Sequence, residues 1–280
     1  MHGATDESPE RGDEMTITRA NYEAHPGVSQ SELRDLARSP AHYYAIRIAR
    51  TVPRAESSAM RIGSALHALV LEPIEFQRGY VVQSWDARTK EGKAARDAAM
   101  ASGRVVLDSD DARAVAGMGE ALSRHADASR ILAQRTHTEY PMTWRDDASG
   151  LRCKGRIDCL ATIAGRAAIV DIKTTTDASP DAFARSIATY GYHVQAAHYL
   201  AGMRANGASV DGFVILAVES RAPYGVAVYE LDAEALEVGE ERRRALLSTL
   251  AECRASGRWP GYRTQTISLP RWAVREVEHG

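Results

Sequence analysis

The sequence contains few cysteines and no long apolar run. Its three cysteines, Cys153, Cys159 and Cys253, are scattered along 280 residues, so their spacing fits neither a disulfide framework nor a CxxC metal motif. No apolar stretch approaches the roughly 20 residues that cross a bilayer. The polar, acidic start of the chain lacks the basic and apolar segments of a signal peptide. We therefore expect a cytoplasmic protein with no membrane partner.

The sequence also lacks an excess of charge of either sign. The formal net charge is −2, from 35 basic and 37 acidic residues, whereas a protein that binds nucleic acid over its whole surface is usually basic. If DNA is the partner, positive charge must be gathered in a groove. Acidic residues that hold a metal would lower the total.

The pattern of apolar residues predicts a tail and one large domain. Residues 1–20 are polar and without periodicity, which predicts a disordered tail with order beginning near Tyr22. We expect residues 21–280 to form a single domain, with a helical part over residues 21–135 and a mixed core over residues 136–280.

Helix signals dominate the first part. Ser29 is a candidate N-cap, Ser39-Pro40 begins a second helix that runs to about Arg50, and Ser57–Leu71 forms a third. The basic, Ala-rich residues 84–104 are predicted to be a mobile loop and an exposed helix. Further helices are expected over residues 108–135.

Strand signals begin near residue 138. TEYPMTW and LRCKGRIDCLATI alternate in polarity, and AAIVDIK is a short buried strand. A long helix is predicted from Ser179-Pro180 to about Asn206, followed by strands near 212–219 and 224–231 and a helix over 233–256. This order predicts an α/β or α+β fold, with a mixed central sheet flanked by helices and a helix that crosses between its two halves.

Two carboxylates and one amine meet in the predicted hairpin IDCLATIAGRAAIVDIK. If Ala164-Gly165 is a two-residue turn, Asp158 lies across from Asp171 with Cβ atoms about 5 Å apart. Lys173 shares the face of Asp171 because strand side chains alternate. A slip of one residue would break this arrangement. Taken alone, D-x-K is also typical of a solvated strand end that carries an ion pair.

Such a group favours divalent-metal chemistry. Two adjacent carboxylates repel each other unless a cation lies between them, and Mg²⁺ or Mn²⁺ prefers oxygen ligands. A bound metal polarises a phosphate oxygen and acidifies a water, while Lys173 stabilises developing charge or positions the water. Together Asp158, Asp171 and Lys173 would form a phosphodiester hydrolysis site.

Three further side chains could join this group. Gln195 and Tyr199 are four residues apart on the predicted long helix and share a face, although a core tyrosine and a surface glutamine would show the same spacing. His67 lies in an apolar helix, where a histidine is usually a buried core residue but could complete a metal site. His193 and His198 are taken as non-ligands.

The whole set resembles the PD-(D/E)XK nuclease superfamily, and within it the phage and prophage exodeoxyribonuclease VIII (RecE-like) family, related to the nuclease domain of RecB. The stretches that carry the resemblance cover most of residues 28–200. They are VSQSELRDLARSPAHYY, GSALHALVLEP, KGRIDCL, VDIKTTTDASPDAF and GYHVQAAHYL. An Asp at position 171, where relatives often have Glu, is a known choice in the pattern.

The resemblance implies a role for each matching residue. His67, Asp158 and Asp171 would bind the metal together with the Ile172 carbonyl, and Lys173 would be the catalytic lysine. Gln195 and Tyr199 would form the QxxxY pair beside the scissile strand, so that both count as catalytic and DNA-contacting residues. Glu139 is a possible additional acidic residue before the first core strand.

The resemblance also implies an activity and partners. Members degrade one strand of duplex DNA from its end, 5′ to 3′, with Mg²⁺ as the expected cofactor and Mn²⁺ as a substitute. The exposed 3′ strand would pass to a single-strand annealing protein for recombination. Such enzymes are often ring-shaped homo-oligomers.

Basic residues are the candidates for phosphate contacts. Two groups share this role: the N-terminal helices carry Arg34, Arg38, Arg47, Arg50, Arg54 and Arg61, and the stretch predicted to be mobile carries Arg88, Lys90, Lys93 and Arg96. We expect residues 88–96 to form a flap over the DNA path. Any single one of these side chains could equally belong to a solvated face.

Two alternatives to an exonuclease remain. An endonuclease of the same superfamily would use the same site, and would cut a closed circle. A DNA-binding subunit without catalysis is disfavoured because every expected metal and catalytic position is occupied.

Overall fold

The computed structural model describes residues 17–53, 57–86 and 88–269. The helices are α1 (Arg19–Tyr22), α2 (Gln30–Arg38), α3 (Pro40–Tyr43), α4 (Ser58–Leu71), α5 (Pro73–Gly79), α6 (Lys90–Ala101), α7 (Ser109–Arg124), α8 (Ala126–Ala133), α9 (Pro180–Tyr190), α10 (Tyr192–Ala205) and α11 (Ala233–Ser256). The strands are β1 (Tyr80–Val82), β2 (Val105–Leu107), β3 (Arg135–Arg145), β4 (Arg152–Ile163), β5 (Arg166–Thr175), β6 (Gly212–Glu219) and β7 (Val226–Glu230).

Local sequence explains how the first helices begin. Ser29 caps α2: its Oγ accepts a hydrogen bond from the Glu32 amide, and the Glu32 carboxylate accepts one from the Ser29 amide at 2.8 Å, a capping box. Order begins earlier than Tyr22, because α1 begins at Arg19. Residues 1–16 of the predicted tail lie outside the described residues.

The second predicted helix is shorter than expected. It begins at Pro40 as predicted, but α3 ends at Tyr43 and the chain continues as one π-helical turn, Tyr44–Ile48. Arg50 then takes a φ of 53°, in the left-handed region that a right-handed helix cannot contain. The predicted helix to about Arg50 is therefore confirmed as a helical segment over residues 40–48, whose second half is a π-helical turn.

Five strands form the main sheet, in the order β3-β4-β5-β6-β7. β5 and β6 are parallel, and the other neighbours are antiparallel. The crossover between β5 and β6 is made by α9 and α10, which confirms the predicted mixed sheet with a helical crossover. A second, parallel pair of strands, β1 and β2, was not predicted, because three residues are too few for alternation to show.

The predicted long helix from Ser179-Pro180 to Asn206 is wrong, because it is two helices. Gly191 separates α9 from α10 with a φ of 70°. Glycine adopts this left-handed conformation without a Cβ clash, and it commonly ends a helix in this way. The break redirects the chain, so that α10 begins at Tyr192 beside the end of β5.

Helices cover both faces of the sheet. On one face, apolar residues of β4, β5 and β6 pack with α2, α10 and α11 around Ile169, Phe213 and Leu247. On the other face, Val170 and Leu216 pack with α4, α7 and α8. Successive residues of β5 thus enter opposite layers, as expected for a central strand that is buried on both faces.

A buried ionic group joins α11 to the β3–β4 turn. Arg243 of α11 is 4% exposed and donates to the carboxylates of Asp146 and Glu240. These hydrogen bonds tie α11 to the turn between β3 and β4. Among the described helices, none combines the length and apolar character needed to cross a membrane. The division at residue 135 into two parts of one domain stays a prediction.

Candidate active site

The β4–β5 hairpin brings the two predicted aspartates together. Both residues of the turn Ala164-Gly165 have positive φ, 49° and 81°, as a two-residue hairpin turn of type I′ requires. The register runs up to Cys159 opposite Val170. Asp158 and Asp171 are the next residues after this last pair, and Oδ2 of Asp158 accepts a hydrogen bond from the Ile172 amide. The two aspartates are therefore close neighbours, while their direct cross-strand pairing stays a prediction.

The Asp171 carboxylate is buried between β5 and α10. It is 1% exposed, and its Oδ1 accepts a hydrogen bond of 2.6 Å from Nε2 of Gln195. Its Oδ2 forms an ion pair with Nζ of Lys173. Burial raises the pKa of Asp171 to about 6, Lys173 opposes this rise, and the nearby Asp158 adds to it. Asp171, Lys173 and Gln195 therefore form one polar group, as predicted.

Lys173 is held charged beside this carboxylate. Burial alone would lower the pKa of Lys173, but the Asp171 and Asp158 carboxylates outweigh burial and the pKa is raised. Nζ of Lys173 also lies 5.0 Å from the ring centroid of Tyr192, within the range of a cation–π contact. The ammonium therefore has a fixed position at the end of β5.

His67 reaches the site from α4, on the other face of the sheet. Its Nε2 lies 2.7 Å from the Ile172 carbonyl oxygen, and its Nδ1 lies 3.2 Å from Oδ2 of Asp158. The same oxygen of Asp158 accepts a hydrogen bond from the Ile172 amide at 3.1 Å. With the Nε2 proton donated to the carbonyl, the lone pair on Nδ1 is left for a metal, which is how histidine ligands are commonly oriented.

Glu139 completes an acidic group with His67 and Asp158. One ligand atom from each of these three residues lies within 4.8 Å of the others. Burial raises the pKa of Glu139, and the charge of Asp158 adds to this rise. Two negative carboxylates that repel each other, beside an imidazole nitrogen, form a donor set that fits Mg²⁺ or Mn²⁺.

The backbone at Glu139 is unusual for a strand residue. Its φ is 49°, and it is absent from the register between Thr138 opposite Cys159 and Tyr140 opposite Ile157. A positive φ in a residue other than glycine is strained, and such strain clusters at functional sites.

The predicted metal ligands thus fall into two adjoining groups. His67, Asp158 and Glu139, the additional acidic residue, converge on one point. The Asp171 oxygens meet Gln195 and Lys173 instead, and the Ile172 carbonyl meets His67. Direct metal ligation by Asp171 and Ile172 stays a prediction.

Tyr199 and the two neighbouring histidines have different surroundings. Tyr199 is 6% exposed and packs against Gly155 of β4, where a Cβ would lie 3.1 Å from the tyrosine ring. His198 is fully buried, with Nε2 at 3.1 Å from the Lys154 carbonyl, and burial lowers its pKa to about 4. His193 lies 3.3 Å from the Ile187 carbonyl. Neither histidine joins the His67–Glu139–Asp158 group.

The site opens into a cleft with a volume of about 1780 Å³. Its lining includes His67, Glu139, Asp158, Lys173 and Gln195, together with basic residues from several elements. The arginines of the lining are Arg34, Arg47, Arg50, Arg156 and Arg221. The lining also contains six acidic residues, Glu23, Glu32, Glu72, Glu75, Glu139 and Asp158. The cleft therefore carries charges of both signs, and the predicted gathering of positive charge in a groove stays a prediction.

Of the predicted DNA-binding cations, Arg34, Arg47 and Arg50 line the cleft, whereas Arg61, Arg88, Lys90 and Lys93 do not. Arg54 lies outside the described residues. Arg61 pairs with Asp111 at 2.6 Å. Arg88 is 93% exposed with a contact to Asp86, and Lys90 and Lys93 lie exposed on α6. Whether they contact DNA stays a prediction.

Two residues beside the site were not predicted from the sequence. Arg156 donates to the Glu139 carboxylate, with 2.8 Å between Nε and Oε2, and it precedes Asp158 by two residues on β4. Strand alternation could have placed it on the same face. Tyr192, beside Lys173, had no signal, because its position depends on the break at Gly191.

One wall of the cleft is anchored by a buried lysine. Nζ of Lys154 is hydrogen-bonded to the carbonyls of Tyr22, Glu23 and His25, at 3.0, 3.2 and 2.9 Å. Val28 then pairs with Cys153 as an isolated bridge. The N-terminal segment is thereby fixed along β4.

Comparisons with known proteins agree with this architecture. The crystal structure of a protein from Eubacterium rectale, described as a candidate exonuclease, has a TM-score of 0.59 at 16% identity, over 95% of this chain and 99% of that one. The crystal structure of SSO0001 has a TM-score of 0.31 at 16% identity, over 70% of this chain and 86% of that one, which is too low to indicate a shared fold. No curated protein matches the sequence.

Sequence comparison identifies the family. A family model described as a PDDEXK-like domain of unknown function, DUF3799, matches residues 29–268. The matched region contains α4, β3, the β4–β5 hairpin and α10, and so every residue of the two polar groups. The chain belongs to this DUF3799 family of PDDEXK-like domains, and with it to the PD-(D/E)XK nuclease superfamily.

Proposed function

We propose that this protein is a divalent-metal-dependent exonuclease that hydrolyses phosphodiester bonds at the ends of duplex DNA. One observation carries the proposal: the ligand atoms of His67, Glu139 and Asp158 lie within 4.8 Å of one another, next to the buried Asp171–Lys173 pair. A metal ligand set beside a fixed ammonium, on the floor of a cleft, is what phosphodiester hydrolysis needs.

Each residue then has a role in the chemistry. His67, Glu139 and Asp158 would hold Mg²⁺, or Mn²⁺ in its place, and Asp171 and the Ile172 carbonyl are adjoining donors. The ion supplies charge neutralisation at the phosphate and a more acidic water. Lys173 stabilises the charge that develops on the phosphoryl oxygens as the water oxygen bonds to phosphorus and the bond to the leaving oxygen breaks. Gln195 orients Asp171, and Tyr199 supports β4 behind Asp158.

Polarity and partners form the finer part of the proposal. We propose 5′-to-3′ degradation that leaves a 3′ strand for an annealing protein, by a homo-oligomeric ring in the cytoplasm. The resemblance to exodeoxyribonuclease VIII supports these points. The arginines of the cleft supply phosphate contacts that are independent of base sequence, which suits an enzyme that moves along a strand.

The test uses linear duplex DNA labelled at either the 5′ or the 3′ end, with Mg²⁺ or EDTA, and a covalently closed circle as a second substrate. The proposal expects Mg²⁺-dependent loss of linear DNA from 5′ ends and an intact circle. Lys173→Met is the control for a contaminating nuclease, because it keeps the aliphatic stem but removes the charge.

Two outcomes contradict the proposal. Cutting of the circle identifies an endonuclease with the same site. Absence of cleavage with Mg²⁺ and Mn²⁺, together with retained DNA binding, identifies a non-catalytic DNA-binding subunit.

A further inference from the structure

A small side pocket adjoins the cleft next to the Lys173 end of the site. Its volume is about 230 Å³, and it shares Thr175, Thr176, Ser186 and Tyr190 with the lining of the cleft. This volume is below the roughly 300–1,000 Å³ of pockets for drug-sized ligands. It is therefore suited to a single small group rather than to a duplex.

A ladder of aromatic rings connects this pocket to the catalytic lysine. The ring of Tyr192, 5.0 Å from Nζ of Lys173, stacks on the ring of Tyr190 with centroids 5.8 Å apart and planes inclined by 29°. Tyr192 in turn lies 6.2 Å from the Phe183 ring, which is buried. The Tyr192 ring is thus supported by the buried Phe183 ring.

Tyr190 is the exposed end of this ladder. It is 53% exposed although it carries a large ring, and it lines both the cleft and the side pocket. It occupies the last position of α9, and Gly191, with its φ of 70°, turns the chain immediately after it. The turn holds Tyr190 at the mouth of the pocket.

The remaining lining of the pocket is polar. Thr175, Thr176, Ser186 and Thr189 carry hydroxyl groups, and Arg185 contributes a cation on the exposed side of α9. The Asp177 carboxylate also lines the pocket, where it accepts a hydrogen bond of 2.8 Å from the Ser179 amide and lies close enough to Arg185 for their charges to interact. A phosphate would compete with this carboxylate for Arg185. An aromatic face beside hydroxyls and a guanidinium is the environment in which a nucleobase stacks while its phosphate is paired.

We propose that this side pocket binds one unpaired nucleotide of the DNA strand adjacent to the scissile phosphate, with its base stacked on Tyr190 and its phosphate near Arg185. The inference rests on the proposed function, and it adds a preference for ends that carry an unpaired nucleotide. Stacking on an aromatic ring tolerates every base, so this preference is independent of sequence.

The test measures binding in EDTA, so that the probe is not consumed. The probes are a blunt duplex and the same duplex with a short overhang that contains 2-aminopurine, whose fluorescence falls on stacking. Tyr190→Ala should weaken binding of the overhang by about tenfold, the loss of one stacked base, and should restore the fluorescence. Tyr190→Phe should keep both the affinity for the overhang and the fall in fluorescence, because it keeps the aromatic ring. The blunt duplex should bind to all variants with the same affinity.

A matched control and a second variant sharpen the outcome. Tyr262→Ala removes another exposed tyrosine, 74% exposed and outside the cleft lining, and should change neither signal. Arg185→Ala should reduce the salt dependence of overhang binding by about one phosphate contact. If the wild type degrades DNA but Tyr190→Ala binds both probes as the wild type does, the inference is overturned and the proposed function stands. If the wild type neither binds nor degrades DNA, both fall.

Discussion

Nε2 of Gln195 lies 2.6 Å from Oδ1 of Asp171, and this hydrogen bond joins α10 to β5 at a point that is almost free of solvent. The bond leaves Oδ2 of Asp171 to Lys173. It therefore fixes the orientation of a carboxylate whose burial raises its pKa to about 6.

Gln195→Ala should impair the enzyme without unfolding it. The variant removes the donor that orients Asp171, and losing such a supporting partner typically costs about 10- to 100-fold in activity or metal affinity. The measurement is the rate of degradation of end-labelled DNA. Gln134→Ala, at an exposed position, is the control. Equal rates for the two variants would show that the hydrogen bond has no function.

Lys173→Met should lower the rate of cleavage by about 10³ or more, because a charge that stabilises the transition state is worth several kcal/mol. DNA binding in EDTA should stay close to that of the wild type, since the cleft arginines remain. A single-turnover rate, measured with saturating enzyme, separates the loss of cleavage from any loss of DNA binding. A variant that cleaves at the wild-type rate would exclude Lys173 from the chemistry.

Glu139→Gln should weaken Mn²⁺ binding by about 10- to 100-fold. The amide keeps the size of the side chain and one acceptor oxygen, replaces the other oxygen by an N–H donor group, and removes one negative charge from the group with His67 and Asp158. Calorimetric titration with Mn²⁺ measures the affinity without cleavage. The thermal shift on adding Mn²⁺ should shrink in parallel. Glu75→Gln, an exposed residue of α5, should bind Mn²⁺ as the wild type does.

Replacing Arg88, Lys90 and Lys93 together by alanine should weaken DNA binding and flatten its salt dependence, if residues 88–96 cover the DNA. Each lost phosphate contact reduces the slope of log affinity against log salt by about one. A control variant replaces Arg113, Arg124 and Arg130, which are exposed and paired on α7 and α8. An unchanged slope in the first variant would refute the flap.

His198 should make the fold less stable as the pH falls. Burial lowers its folded-state pKa from 6.5 to about 4, so the unfolded chain binds the proton first. Its contribution is therefore complete above pH 6.5 and is lost between pH 6.5 and about 4. The loss amounts to about 3 kcal/mol.

Urea unfolding of the wild type and of His198→Phe across that pH range isolates the contribution of His198 to the free energy of unfolding. The phenyl ring keeps the packing against Trp144, whose ring centroid lies 4.7 Å from that of His198. Asp171 has a raised pKa and contributes with the opposite sign, but it is common to both proteins. The difference in stability between the two should shrink or reverse as the pH falls, and a constant difference would count against a neutral, buried His198.

Local sequence determined the elements and the chemistry of the hairpin. Ser29 and Pro40 fix where helices begin, because caps act over three or four residues. The turn at Ala164-Gly165 fixes the register, whose last pair is Cys159 opposite Val170, and this places Asp158 and Asp171 next to each other beyond it. These are short-range effects of backbone geometry and alternation, and so they can be predicted from the chain alone.

Tertiary structure decided which side chains converge. His67 and Asp158, which are 91 positions apart in the chain, meet only because α4 packs on the face of the sheet opposite to α10. The left-handed Gly191, which no helical periodicity reveals, brings Tyr190 and Tyr192 to the Lys173 end of the site. The sequence by itself determined the residue types and their local pairing. The packing of separate elements decided the convergence of His67, Glu139 and Asp158 and the contact between the aromatic rings of Tyr190 and Tyr192, because burial and long-range contacts select one arrangement among many that local rules allow.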